Sequence, residues 1–150
     1  MVNSETSADF YFMQLALDEA EIAYTNNEVP IGAVLVKGDK VVLKAHNRTN
    51  ELQDPLAHAE KLILEQAPEK YLYDYTLYIT LEPCLMCAGM IIWRRVGRVV
   101  LGAYDPKGGA AGSVYNTLLD SHFNHNPILT TKIMEEESAK LLKKFFKGKR

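Results

Sequence analysis

The stretch YTLYITLEPCLMCAGMIIWR, residues 75–94, places an expected strand directly before a proline and an expected helix that contains both cysteines. Residues 75–81 are rich in aromatic and β-branched side chains, which favour a strand. Pro83 follows the strand, and residues 84–94 then suit a helix. A strand that passes at once into a helix is the unit from which layered α/β folds are built.

Outside this stretch, strands and helices continue to alternate. The preceding chain predicts a helix over residues 8–26 capped by Ser7, a hairpin over 31–47, and a helix between Pro55 and Pro68. The following chain predicts a strand over 97–104, a glycine-rich loop over 105–113, a short helix over 114–119, a strand over 128–133 and a terminal helix over 134–147. This order predicts an α/β fold, a three-layer α/β/α sandwich around a mixed five-stranded sheet.

Length and composition limit the remaining possibilities. The chain has 150 residues, of which 47% are hydrophobic and 24% charged, so we expect a single domain over residues 1–150. The sequence shows neither a leader peptide nor an apolar run long enough to span a membrane, so we expect a cytoplasmic protein without a membrane partner. In a reducing cytoplasm a disulfide between Cys84 and Cys87 is disfavoured, which leaves redox chemistry, metal binding or two buried thiols.

Cys84, Cys87 and His58 form a candidate metal site. Two cysteines three residues apart at a helix share one face and can chelate one thiolate-preferring ion, for which zinc is the natural candidate. His58, near the start of another helix, supplies a third ligand and leaves the fourth tetrahedral position for water, as in catalytic zinc sites. Two thiolates weaken zinc as a Lewis acid, and two helix amino termini aimed at the ion would offset this.

Glu60 follows His58 by two residues and points to a different side of the helix. It is the natural carboxylate beside the water, and we expect it to act as general acid and base. Singly, each of these residues has an ordinary structural role, and a Cys-x-x-Cys pair also occurs in thioredoxin-like redox sites. The usual Trp-Cys-Gly-Pro-Cys surroundings are absent here, so the combination with His-x-Glu favours zinc.

The motifs HAE (58–60) and PCLMC (83–87) resemble those of the zinc-dependent cytidine and adenosine deaminase superfamily. Further segments, among them EVPIGAVLV, DPLAHAE, TLYITLEPCLMCAGM and GRVVLGAYDPKGGAAGS, are similar in order and over nearly the whole chain to the bacterial tRNA-specific adenosine deaminases. The resemblance implies a cytidine deaminase-like fold with one Zn²⁺ per subunit. It also implies a homodimer that converts the wobble adenosine of a tRNA anticodon stem-loop to inosine, by attack of a zinc-bound hydroxide and release of ammonia.

The same resemblance implies a set of substrate contacts. Asn47 is expected to bind the base or its ribose, the backbone of Ala59 to read the purine edge, and Asp105 and Lys107 to line the entrance. The terminal helix carries further candidate RNA contacts, which are charged or aromatic: Lys143, Lys144, Phe145, Phe146 and Lys147. For at least one of the two phenylalanines, packing of the helix is the expected role instead.

Leu56 and Asn126 depart from the family pattern, which leaves substrate selection open. One alternative is a small-molecule nucleobase or nucleoside deaminase, of the guanine or cytosine type. A second alternative is a noncatalytic RNA-binding module with a structural zinc, against which the presence of Glu60 argues.

Overall fold

The computed structural model describes residues 6–149, in which strands and helices alternate as expected. The elements in chain order are α1 (Ser7–Thr25), β1 (Gly32–Lys37), β2 (Lys40–His46), α2 (Ala59–Gln66), β3 (Tyr75–Leu81), α3 (Leu85–Trp93), β4 (Arg98–Ala103), β5 (Ile128–Thr130) and α4 (Glu135–Lys147).

The strands form one mixed sheet in the order β2-β1-β3-β4-β5. β1 runs antiparallel to both β2 and β3, whereas β3, β4 and β5 are parallel to one another. The β1–β2 hairpin turns at Gly38, whose φ of 64° is readily adopted by glycine. Because β3 and β4 are parallel, the loops that follow them emerge at the same edge of the sheet.

Helices cover both faces of the sheet and complete the predicted three layers. α1 and α4 lie together on one face, and α2 and α3 lie on the other. In β1 the buried side chains alternate: Ala33 and Leu35 face the α2–α3 layer, and Val34 and Val36 pack with α1. The central strands are therefore buried on both sides, and the side chains at the ends of β2 and β3 converge on the start of α2 and α3.

Three expectations about secondary structure were wrong. Thr6 caps α1 instead of Ser7, which is the first residue of the helix, and the amide of Thr6 donates to Oδ2 of Asp9 at 2.9 Å. Residues 114–119 form an irregular segment with one isolated bridge, from Asn116 to Ala111, instead of a short helix. Their amides bond backwards to the glycine-rich loop, Val114 to Gly109 and Thr117 to Ala110. The last strand ends at Thr130 instead of residue 133, since Lys132, two residues later, takes a left-handed conformation with φ of 64°. Among residues 6–149, none of the helices combines the length and the apolar composition needed to cross a membrane.

Candidate metal centre

His58, Cys84 and Cys87 lie together, as the sequence predicted. The Nδ1 atom of His58 is 3.6 Å from Sγ of Cys84 and 3.7 Å from Sγ of Cys87, and all three donor atoms lie within 4.8 Å of one another. A tetrahedral zinc with Zn–S bonds of about 2.3 Å and a Zn–N bond of about 2.05 Å requires an N···S separation of about 3.6 Å. The donor set and its spacing therefore fit a zinc ion held through Nδ1 and two thiolates.

Two helix amino termini point at this cluster. His58 is the residue that caps α2, and Cys84 caps α3, with Cys87 in the first turn of the same helix. Cys87 and its neighbour Ala88 are fully buried, and the amide of Ala88 donates to the carbonyl of Cys84 at 2.9 Å. The partial positive charge of both helix ends thus faces the sulfur atoms, which supports thiolate ligands and a bound water.

The two thiols are electrostatically unequal. A hydrogen bond with Cys87, together with His58, lowers the pKa of Cys84 to about 4. The hydrogen bond with Cys84 and burial raise the pKa of Cys87. The metal-free pair therefore shares one proton, and a metal ion that binds both sulfurs must displace it.

Glu60 lies in the first turn of α2 and is almost completely buried, with 4% of its surface exposed. It follows His58 by two residues at the start of the same helix, which places its carboxyl group near the donor cluster, and its charge contributes to the raised pKa of Cys87. Burial raises the pKa of Glu60 itself to about 7. A carboxyl group with a pKa close to neutrality can both accept and return a proton, as a general acid and base must.

Asn47 directly follows β2 and is buried beside α2. Its Oδ1 accepts a hydrogen bond from the amide of Ala59 at 2.8 Å. The side chain therefore joins the end of the hairpin to the helix that carries Glu60, and its Nδ2 group is the atom left to donate to a ligand. A purine contact through the Ala59 amide would have to replace this hydrogen bond, so the predicted role of Ala59 competes with a bond inside the protein.

Glu28 is a buried carboxylate that the sequence did not single out. Its Oε1 accepts from the amide of Asn50 at 3.0 Å and its Oε2 from the amide of Glu51 at 2.8 Å. These bonds hold the turn that leads from Asn47 to His58. Only its position in a predicted loop before β1 could have suggested it, since its partners are backbone amides more than 20 residues away.

Glu82 is a second buried carboxylate that the sequence did not single out. It stands between β3 and Pro83 and is 2% exposed. Its oxygens accept hydrogen bonds from three amides of the glycine-rich loop, those of Asp105, Ala111 and Ser113. The loop with the predicted entrance residues is therefore held by a residue that precedes the first cysteine ligand, Cys84, by two positions.

The other predicted contacts lie outside the metal cluster. Asp105 is half-buried, and its Oδ1 accepts from the amide of Lys107, whose side chain is exposed. On α4, Phe146 and the three predicted lysines are exposed, but Phe145 is buried against Tyr24, with ring centroids 6.2 Å apart. Phe145 is therefore a packing residue and is not available to stack on RNA.

Comparison with known proteins places this geometry in a family. Residues 6–103 match the model of the cytidine and deoxycytidylate deaminase zinc-binding region. A tRNA-specific adenosine deaminase of Bacillus subtilis is 43% identical over 143 residues, which cover 93% of this chain and 89% of the relative.

Two solved structures are similar as well. One comes from a study of A-to-I editing by tRNA:A34 deaminases at the wobble position of transfer RNA. It is 43% identical with a TM-score of 0.83, and the matched region covers 88% of this chain and 99% of the chain in that structure. A guanine deaminase of Bacillus subtilis is 30% identical with a TM-score of 0.61, over 73% of this chain and 72% of its own. The similarity to the tRNA:A34 deaminase is greater in identity, in fold and in coverage. The chain belongs to the cytidine and deoxycytidylate deaminase zinc-binding family and, within it, to the tRNA-specific adenosine deaminases.

Proposed function

We propose that the protein is a zinc-dependent hydrolase that converts the wobble adenosine in the anticodon stem-loop of a tRNA to inosine, with release of ammonia. The observation that carries the proposal is the buried Glu60 beside a three-ligand site. Three protein donors leave one tetrahedral position for water, and the carboxyl group beside them can move a proton. The tRNA specificity rests on the similarity to tRNA-specific adenosine deaminases.

The chain's own residues would divide the chemistry as follows. His58, Cys84 and Cys87 would hold a zinc ion, which lowers the pKa of water and so supplies a nucleophile at neutral pH. Glu60 would take one proton from the attacking water and deliver it to the purine ring, and would then carry the second proton from the new hydroxyl group to the departing amine. Water adds at C6 of adenine and ammonia leaves, so the balance is adenosine plus water to inosine plus ammonia.

The substrate would be bound from two sides. We assign the base or its ribose to the Nδ2 group of Asn47 and the flanking nucleotides to Asp105 and Lys107. Tyr104, which directly precedes Asp105, lines a shallow groove with Lys140 and Lys143 of α4, and the acidic Glu135 and Glu136 line the same groove. An aromatic ring and an ammonium group in one groove suit a single-stranded backbone and its bases, and an anticodon loop presents its bases unstacked.

We also propose that the chain is one deaminase domain that works as a cytoplasmic homodimer. The support for a dimer is an apolar row on the outer face of α3. Leu85 and Trp93 are 52% and 80% exposed, and Gly89 between them has open space where a Cβ would stand. Trp93→Glu should therefore shift the sedimentation coefficient from dimer to monomer, and an unchanged value would exclude this face as the interface.

A small-molecule deaminase is the second candidate, since the fold is shared with guanine deaminase. The test is to incubate zinc-loaded protein with an anticodon stem-loop and, separately, with free adenine, adenosine, guanine, cytosine and cytidine, and to measure ammonia and inosine. Glu60→Ala serves as the inactive control. Inosine from the stem-loop alone supports the proposal, and turnover of a free base with an inert stem-loop replaces it with nucleobase salvage. Zinc-loaded protein without any turnover would support the noncatalytic RNA-binding module.

A further inference from the structure

Among the described residues, every polar partner of the Glu82 carboxylate is a hydrogen-bond donor. Its Oε1 accepts from the amide of Asp105 at 2.8 Å and from the hydroxyl of Ser113, and its Oε2 accepts from the amides of Ala111 at 2.7 Å and Ser113 at 3.0 Å. Within residues 6–149, no Lys, Arg or His pairs with this carboxylate. The hydrogen bonds from the loop therefore offset the free-energy cost of burying the Glu82 carboxylate. The same bonds hold the loop in place.

The loop is packed against the carboxyl group with no spare room. A Cβ placed on Gly109 would lie 2.2 Å from the carboxyl carbon of Glu82, well inside van der Waals contact. The amide of Ala110 also donates to the carbonyl of Pro83 at 2.8 Å. These contacts fix the position of the loop relative to the end of β3, which leads into Cys84.

We propose that Glu82 is a positioning residue for the deaminase site: it holds the loop 105–113 so that Asp105 and Lys107 stand at the entrance in the orientation that binds the nucleotides flanking the target base. The proposal deepens the function proposed above and rests on it. Glu82 would touch neither the metal nor the substrate. Its effect would reach the reaction through substrate binding, since the donors it orders belong to the entrance and not to the ligand set.

Glu82→Gln tests this assignment with a side chain of the same shape. Whichever way the amide is turned, its NH₂ group meets at least one backbone N–H that needs an acceptor. We expect amide exchange in residues 105–113 to become about tenfold faster. We expect KM for the stem-loop to rise about tenfold, equivalent to about 1.4 kcal/mol, while kcat stays within about twofold and zinc content is unchanged.

Two further variants separate positioning from general damage. Ser113→Ala removes one hydroxyl donor and keeps the amide, so it should give the same pattern with a smaller rise in KM even if Glu82→Gln folds poorly. Glu28→Gln makes the matched change in the other buried carboxylate. It should speed exchange at residues 49–51 and leave residues 105–113 as in the unmodified protein.

The possible results distinguish a failure of the role assigned to Glu82 from a failure of the proposed function. A rise in KM with faster loop exchange and full zinc content supports the proposal. Unchanged KM with a loosened loop overturns it, and so does loss of zinc together with kcat, which would make Glu82 a support for Cys84. If the unmodified protein does not act on the stem-loop, the proposed function fails, and the exchange measurement still decides whether Glu82 holds the loop.

Discussion

Replacement of Glu60 by glutamine should make the metal-free protein more stable at neutral pH while it abolishes turnover. The carboxyl group of Glu60 is buried in the first turn of α2, and burial raises its pKa from 4.5 to about 7. In the unfolded chain the group returns to its ordinary pKa. The folded protein therefore binds a proton more tightly than the unfolded chain does.

This difference in the pKa of Glu60 determines how stability changes with pH. Below pH 4.5 Glu60 is protonated in both the folded and the unfolded protein, so its burial does not lower the free energy of unfolding through ionisation. As pH rises from 4.5 to 7 the unfolded chain loses its proton first, so the free energy of unfolding falls, and above pH 7 the loss is complete. At about 1.4 kcal/mol per pKa unit, the full loss is about 3 kcal/mol.

Glutamine is always neutral and escapes this loss. We therefore expect Glu60→Gln to match the unmodified protein near pH 4.5 and to exceed it by about 3 kcal/mol at pH 8. Urea unfolding with a chelator present, at intervals from pH 4.5 to 8, measures the difference. With zinc bound the gain should shrink, because a nearby dication favours the carboxylate.

Glu65→Gln is the matched control, since it lies on the same helix with its side chain half exposed and paired with Lys61 at 3.1 Å. It should change stability by less than about 0.5 kcal/mol at any pH. If Glu60→Gln were less stable than the unmodified protein at pH 8, or if the gap did not grow with pH, the reasoning about Glu60 would be refuted.

Three other predictions concern the metal, the fold and RNA binding. Cys87→Ser should reduce zinc to well below one ion per chain by elemental analysis, and full occupancy would exclude Cys87 as a ligand. Asp9→Asn should lower the free energy of unfolding by about 3 kcal/mol in urea titrations, because it leaves the half-buried Arg98 without its bidentate partner at 2.7 and 2.8 Å; a loss below about 1 kcal/mol would contradict this. Lys143→Gln should weaken stem-loop binding and reduce the slope of log affinity against log salt by about 0.7 to 0.9, whereas Lys70→Gln, outside the groove beside Tyr104, should leave the slope unchanged.

The metal cluster could be predicted from sequence because its signals are local. Cys84 and Cys87 are three residues apart at the start of one helix, His58 begins another, and prolines mark both boundaries. The layered order of strands and helices follows from the same alternation. What brings His58 to the cysteines is the sheet, in which β1 lies beside both β2 and β3.

The loops around the site could not be predicted in the same way. Glu28 and Glu82 look like ordinary solvent-facing acids in the sequence, because most of their partners are backbone amides that any residue could supply. Residues 114–119 have a pattern compatible with a helix, but their amides bond to the preceding glycine-rich loop instead. Phe145 and Phe146 are adjacent and chemically identical, and the structure buries Phe145, which shares the inner face of α4 with Leu141 and packs against Tyr24.

The central claim is that Glu60 and the zinc site deaminate an adenosine presented at the wobble position. The most direct measurement is mass-spectrometric mapping of inosine in two anticodon stem-loops of equal length, one with adenosine at the wobble position and one with that adenosine moved to the next loop position. The account predicts inosine at the wobble position of the first RNA, none in the second, and none in either with Glu60→Gln. Equal conversion of both RNAs, or conversion that survives Glu60→Gln, would contradict it.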